Sequence, residues 1–247
     1  MTAYIDSNIL IDLEQNIISK EQLQKNFGNK TESYFYSFAH LFEAHEISGS
    51  DEEKAERLKK RFQIITELTI NNYLSYDIEK HEFDLLVRAP EPIFNNIPLA
   101  KANIDYVRGL VNEVTIEQKA AAQKLFGIPS VELNNFTPEQ IIEQIENRKE
   151  LFGGLSLNEF LAEIKEGDEL RLNEQISGMI ELLDIYGFWK DKPTHKSNYA
   201  RAWDGIHIFY SSYCDIFITN DLRTKNKAKV IFNLYGINTK VFDSNGE

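Results

Sequence analysis

The stretch Asp215-Ile216-Phe217-Ile218-Thr219 decides the fold. Three consecutive large apolar residues between polar ends read as a short strand buried on both faces, the pattern of a parallel sheet. Tyr199 to Tyr213, just before it, reads as a helix. Lys225 to Tyr235, after it, reads as another, with Gly236 as its C-cap. Thr239 to Phe242 is a final strand. Strand, helix of about ten residues, strand is a βαβ unit, so the two strands are expected to pair in parallel.

The beginning of the chain has the same grammar. Thr2 to Ile5 is a β-prone run ending on Asp6, and Asn8 is placed to cap a helix carrying Ile9, Leu10 and Leu13. Ser19 and Gln22 have capping-box spacing. Ser33 to Ser37 reads as an aromatic-rich strand. It leads into a helix with Phe38, Leu41, Phe42 and, early in it, Glu43. Ser50 and Glu53 form another capping box, followed by a helical stripe of Leu58, Phe62, Ile65 and Thr69. Tyr73 to Tyr76 is a further short strand.

The middle differs. It holds all six prolines, at 90, 92, 98, 129, 138 and 193, between helix-like patterns, and no strand alternation. Thr137-Pro138 with Gln140 is a strong helix start, and Ser156 with Glu159 another. The expected architecture is one α/β domain, residues 1–77 and 197–247, interrupted by an all-helical insertion at 78–196.

Composition bounds the function. The chain has 247 residues, 42% hydrophobic and 12% aromatic, enough for a real core. Its net charge of −12 argues against a generic basic coat for nucleic acid or anionic membranes. The single cysteine, Cys214, cannot form an internal disulfide, as suits a reducing compartment. No stretch approaches the ~20 apolar residues of a membrane helix. The first residues lack a basic region followed by an apolar run. A soluble cytoplasmic protein with no membrane partner is expected.

Ligand chemistry in an open parallel sheet sits at the carboxyl ends of its strands. Asp6 follows the first strand, and Asp221 lies two residues past Thr219. Glu43 belongs to the helix that leaves the same edge. Asp204 follows from length. From Asp204 to Tyr213 a helix spans roughly 13 Å. The strand from Asp215 to Thr219 spans roughly 13 Å back. Asp204 is therefore expected level with Thr219, and Asp215 at the opposite edge. Four acids in one place need a counter-charge. Oxygen-only ligands favour Mg²⁺ or Mn²⁺ over Zn²⁺. Such ions clamp phosphodiesters and activate water for their hydrolysis.

Four segments carry a resemblance: Tyr4-Ile5-Asp6-Ser7-Asn8-Ile9-Leu10, Tyr36-Ser37-Phe38-Ala39-His40-Leu41-Phe42-Glu43, Asp204-Gly205-Ile206-His207-Ile208 and Phe217-Ile218-Thr219-Asn220-Asp221. In order and type they resemble the acidic motifs of PIN-domain nucleases. The resemblance implies a three-layer α/β/α fold and a metal-dependent endoribonuclease acting on RNA, in a family that includes toxins and RNA-processing enzymes. It implies Asp6, Glu43, Asp204 and Asp221 as catalytic metal ligands, Thr219 as an orienting hydroxyl and Asn8 as support for Asp6. The insertion of about 120 residues departs from compact members. Two alternatives stand beside this reading: a catalytically silent module that binds RNA or protein, and a structure-specific DNA nuclease.

Arg223, Lys225, Lys227 and Lys229 follow Asp221 directly. Arg223, Lys225 and Lys229 are the candidates for substrate phosphate. Arg57, Lys59, Lys60 and Arg61 read as solvated, and Asp12 and Asp215 as structural. From Val131 to Gln175 there are eleven acids and four bases, a net −7. This insertion segment offers a solvated face or a surface for a basic protein partner.

Overall fold

The computed structural model of the protein describes residues 1–77, 79–97, 115–127, 135–166, 171–190 and 195–247. They form an α/β protein around a six-stranded, mostly parallel sheet. The chain divides into two compact units. One comprises Met1–Val107, Tyr210–Lys225 and Thr239–Glu247, the other Arg108–Phe209 and Asn226–Asn238.

The first unit holds every described strand: β1 (Thr2–Ile5), β2 (Ser33–Ser37), β3 (Asn72–Asp77), β4 (Glu82–Val87), β5 (Ile216–Ile218) and β6 (Lys240–Phe242). Their order is β4-β3-β2-β1-β5-β6. All neighbours are parallel except β3 and β4. Strands from the two ends of the chain meet at the centre, where Ala3 pairs with Ile216 and Ile5 with Ile218. Ala3, Tyr4, Ile5, Phe217 and Ile218 are fully buried, as a parallel strand covered on both faces requires.

Helices of this unit are α1 (Ser7–Glu14), α2 (Lys20–Phe27), α3 (Phe38–Ala44), α4 (Asp51–Thr69) and α5 (Pro90–Asn96). Ser19 caps α2, and Ser50 with Glu53 boxes the start of α4, as their spacing predicts. The buried residues of α4 are Arg61, Ile64, Ile65 and Thr69, so Ile65 and Thr69 of the expected stripe are buried while Leu58 and Phe62 are half-buried. Arg61 is therefore not solvated. It forms a two-point ion pair with Glu14 at the end of α1. A partner 47 residues away leaves no local trace in the sequence.

The segment 78–196 is not all-helical, because it opens with β4. This edge strand pairs antiparallel with β3, from Asn72 opposite Val87 to Asp77 opposite Glu82. Its residues are exposed or half-buried throughout. The burial that writes alternation into a sequence is missing, and Glu82 and Asp84 weaken its β character further.

The second unit is helical where described. It contains α6 (Ile116–Phe126), α7 (Pro138–Glu146), a 3-10 turn (Lys149–Phe152), α8 (Leu157–Glu166) and α9 (Leu172–Tyr186). It also takes the larger parts of α10 (His195–Ser211) and α11 (Leu222–Tyr235). Thr137 and Gln140 box the start of α7 with Pro138 in its first turn. Ile141 and Ile145 are buried, while Glu139 and Glu143 face solvent. Pro98, Pro129 and Pro193, with Glu132, Asp168 and Glu169 of the acidic window, lie outside the described residues. No described helix is long and apolar enough to cross a membrane.

Candidate functional site

β1 has β2 on one side and β5 on the other, so chain order reverses across it. In open α/β sheets the crevice beyond the carboxyl ends at such a switch point is the preferred ligand site. Asp6 stands there, one residue past β1, with its backbone N–H on the Ile218 carbonyl at 2.9 Å.

Asp6 occupies the N-cap position of α1 with extended backbone, yet its side chain makes no capping hydrogen bond. Aspartate is among the best N-caps, so withholding that bond forgoes about 1 kcal/mol. The carboxylate turns elsewhere. Oδ2 accepts from the Thr219 hydroxyl at 2.7 Å and from Asn8 Nδ2 at 2.6 Å. Asp6 is only 4% exposed. Asn8 is therefore not the cap of α1. It lies inside the helix, and its amide also donates to Thr219 Oγ1 at 2.9 Å.

Asn220 extends the network and was not singled out by the sequence. Its backbone N–H donates to Asn8 Oδ1 at 3.0 Å, and its Nδ2 to Asp12 Oδ2 at 2.6 Å. Its Oδ1 accepts from the Ser244 backbone N–H at 2.9 Å. One side chain thus ties the exit of β5 to α1 and to the segment after β6. Asp12 is structural in this sense. Asp215, at the start of β5, binds the Thr2 backbone N–H at 2.7 Å, away from the carboxyl edge.

On the other side of β1, His40 joins the two motif-bearing segments. The Ser37 backbone N–H donates to Nδ1 at 3.0 Å, and Nε2 lies 2.6 Å from the Ile5 carbonyl. A carbonyl can only accept, so the proton is on Nε2 and the ring is neutral. Ser37 and His40 form the capping box of α3, with histidine where glutamate or glutamine usually stands. The Ser37-x-x-His40 spacing is its local signal in the sequence. The Tyr4 hydroxyl lies 2.7 Å from Ser37 Oγ. Burial drives the Tyr4 phenol well above its ordinary pKa. The fields of Tyr210, Asp6 and Glu43 push it the same way. Glu43 and Asp6 thus both act on one buried hydroxyl. Glu43 is the sixth residue of the seven-residue α3, late rather than early in it, and half-buried.

No family model, curated protein or solved structure matches the chain.

Asp221 is exposed and acts as the cap of α11. Its Oδ1 accepts from the backbone N–H groups of Arg223 at 2.8 Å and Thr224 at 2.9 Å. This extends α11 back to Leu222, three residues before the expected start. Arg223 is exposed. Lys225 reaches Asp243 at 2.8 Å and the Glu247 carbonyl at 3.3 Å. Lys229 is half-buried on α11.

Asp204 is half-buried on α10, within the second unit. One turn earlier, Arg201 places its guanidinium on both oxygens of Glu181, at 2.6 and 3.0 Å. Arg201 Nη1 also lies 3.3 Å from Asp184, which in turn holds Lys119 at 2.8 Å and has Lys227 at 3.8 Å. Lys227, placed in a basic surface run by sequence, is buried. Next to Asp204, Gly205 of α10 faces α9, where a Cβ would make ordinary contact with Ser177 and Ile180.

Among the described residues, no three or more His, Cys, Asp or Glu side chains form a ready-made metal cage. The donors at the switch point are nonetheless carboxylate, amide and hydroxyl oxygens, the set suited to a hard divalent cation rather than zinc.

Proposed function

We propose that the chain is a PIN-like, three-layer α/β/α nuclease that hydrolyses RNA phosphodiester bonds with Mg²⁺ or Mn²⁺. One observation carries this reading. The Asp6 carboxylate forgoes helix capping and is held by Thr219 and Asn8 at the switch point of the sheet. A buried carboxylate fixed by a hydroxyl and an amide at a ligand-binding edge is oriented for something outside the fold. Asp6, Glu43 and Asp221 of the first unit would hold the cation; the motif resemblance also names Asp204. When bound, it supplies charge neutralisation and Lewis acidity toward a phosphodiester. Thr219 and Asn8 fix the direction of the Asp6 carboxylate. Arg223, the exposed cation beside Asp221, is assigned to substrate phosphate, as are Lys225 and Lys229. The acidic segment of the insertion keeps nucleic acid off that surface or receives a basic protein partner.

The test is cleavage of matched RNA and DNA panels with Mn²⁺ or Mg²⁺, by wild type, Asp6→Asn and Asp204→Asn. Metal-dependent RNA cleavage lost in both variants supports the reading. Equal activity in all three proteins sinks it. Preference for DNA would move the assignment to a structure-specific DNA nuclease.

A second reading has its own observation. Asp221 Oδ1 is engaged in capping α11, as in a scaffold that has no use for it as a ligand. In that case the fold is a catalytically silent module that binds RNA or protein. Absence of both cleavage and Mn²⁺ binding would favour it.

A further inference from the structure

Asn8 and Asp12 lie four residues apart on α1, so one face of that helix presents both side chains. That face meets the turn after β5, where Asn220 stands between Thr219 and Asp221. The Asn220 side chain is held at both ends. Its Nδ2 donates to Asp12 Oδ2 at 2.6 Å, and its Oδ1 accepts from the Ser244 backbone N–H at 2.9 Å. A backbone N–H can only donate, so Ser244 fixes which end of the amide is oxygen and turns the nitrogen to Asp12.

The same logic runs on to Asp6. The Asn220 backbone N–H donates to Asn8 Oδ1 at 3.0 Å, which fixes the Asn8 amide with its nitrogen turned the other way. That nitrogen carries two protons, one for Asp6 Oδ2 at 2.6 Å and one for Thr219 Oγ1 at 2.9 Å. Thr219 Oγ1 also accepts from the Asp221 N–H at 3.2 Å, and its single proton goes to Asp6 Oδ2 at 2.7 Å. A reversed Asn8 amide would set its oxygen against the Asp6 carboxylate and its nitrogen against the Asn220 N–H, acceptor on acceptor and donor on donor. The direction of the bonds to Asp6 therefore depends on a backbone N–H that the Asn220 side chain holds in place.

We propose that Asn220 is a positioning residue for a divalent cation at Asp6, acting through Asn8. Its side chain anchors the turn to Asp12 and Ser244, the anchored turn orients the Asn8 amide, and that amide with Thr219 orients the carboxylate. The inference rests on the reading that Asp6 holds a cation. It makes Asp12 the anchor of the turn rather than a ligand. Asp6, Asn8 and Asp12 near one end of the chain thus act together with Thr219 and Asn220 near the other.

The full chain is compared near neutral pH as wild type, Asn220→Ala, Asn220→Asp, and Asn220→Asp combined with Asp12→Asn. Calorimetric titration with Mn²⁺ reads the cation. The Asn8 side-chain amide protons, followed by nuclear magnetic resonance without metal, read the amide orientation, and the urea midpoint reads the fold. Asn220→Ala should weaken Mn²⁺ binding about tenfold, the lower end of the loss for groups that orient metal ligands. Asn220→Asp should do the same, because two carboxylates then oppose each other across a 2.6 Å contact. Adding Asp12→Asn reverses donor and acceptor across that contact and should restore the affinity. The Asn8 amide protons should shift in both single variants and return in the combined one. Mn²⁺ bound by Asn220→Ala as tightly as by wild type overturns the inference and leaves the cation reading standing. No Mn²⁺ binding by wild type overturns the cation reading and the inference with it. A weakening that the combined variant does not reverse, in step with a fallen urea midpoint, also overturns it, since Asn220 then only stabilises the fold.

Discussion

Removing the Thr219 hydroxyl tests whether the switch-point network is an ordered device or incidental contact. Thr219 is fully buried. Its hydroxyl donates to Asp6 at 2.7 Å and accepts from Asn8 at 2.9 Å and from the Asp221 N–H at 3.2 Å. Thr219→Val keeps the shape and deletes all three bonds. The bond to the carboxylate contributes about 1.5–3 kcal/mol, and a donor left without an acceptor costs about 1–3 kcal/mol. Asn8 keeps its second bond to Asp6, and Asp221 is exposed, so the lower part of that range applies to the donors. The net expectation is about 3 kcal/mol, or roughly 6–12 °C in melting temperature for a chain of this size. Thr219→Ser keeps the hydroxyl and loses one methyl, for about 1 kcal/mol. Urea unfolding followed by far-ultraviolet circular dichroism compares the three proteins. Equal destabilisation by valine and serine would refute the reasoning, since the loss would then be one of packing.

Three further outcomes follow from other parts of the molecule. Asp184→Asn removes the charge shared by Lys119, Arg201 and Lys227 and should cost about 3–5 kcal/mol, the loss typical of breaking a buried ion cluster, read as a lower urea midpoint. Burial raises Asp243, but the Lys225 ammonium and the backbone N–H groups of Glu247 and Asn245 outweigh it and hold the carboxyl below its ordinary value. A lowered folded pKa means stability that is present above the unfolded value near 3.8 and lost as pH falls through the folded one. Asp243→Asn should therefore flatten the acid limb of the stability profile below pH ~4 and leave its slope near pH 7 unchanged. Burial pushes the Cys214 thiol up to about 12, so a thiol reagent at pH 8 should label it only in denaturant. Rapid labelling of the folded protein would contradict that placement.

Much of the first unit was legible because its signals are local. Thr2–Ile5, Ser33–Ser37 and Ile216–Ile218 are short apolar runs between polar ends, and capping boxes announce themselves by spacing. Asp6, Asn8 and Thr219 were legible as a motif, and the three side chains are joined by mutual hydrogen bonds. What escaped depends on partners distant in sequence. Arg61 is buried because Glu14 meets it, and Lys227 because it meets Asp184, a residue far earlier in the chain. Asn220 gives no hint of its hub role, since its contacts come from α1 and the segment after β6. β4 escaped because an edge strand lacks the burial that imposes alternation.

The most direct test of the account is calorimetric titration of Mn²⁺ into wild type, Asp6→Asn and Asp215→Asn. Asp6 stands at the carboxyl edge of the sheet, and Asp215 caps the start of β1 instead. The account predicts saturable Mn²⁺ binding by wild type and by Asp215→Asn, and its loss in Asp6→Asn. Binding that Asp6→Asn leaves unchanged, or no binding by wild type, would contradict it.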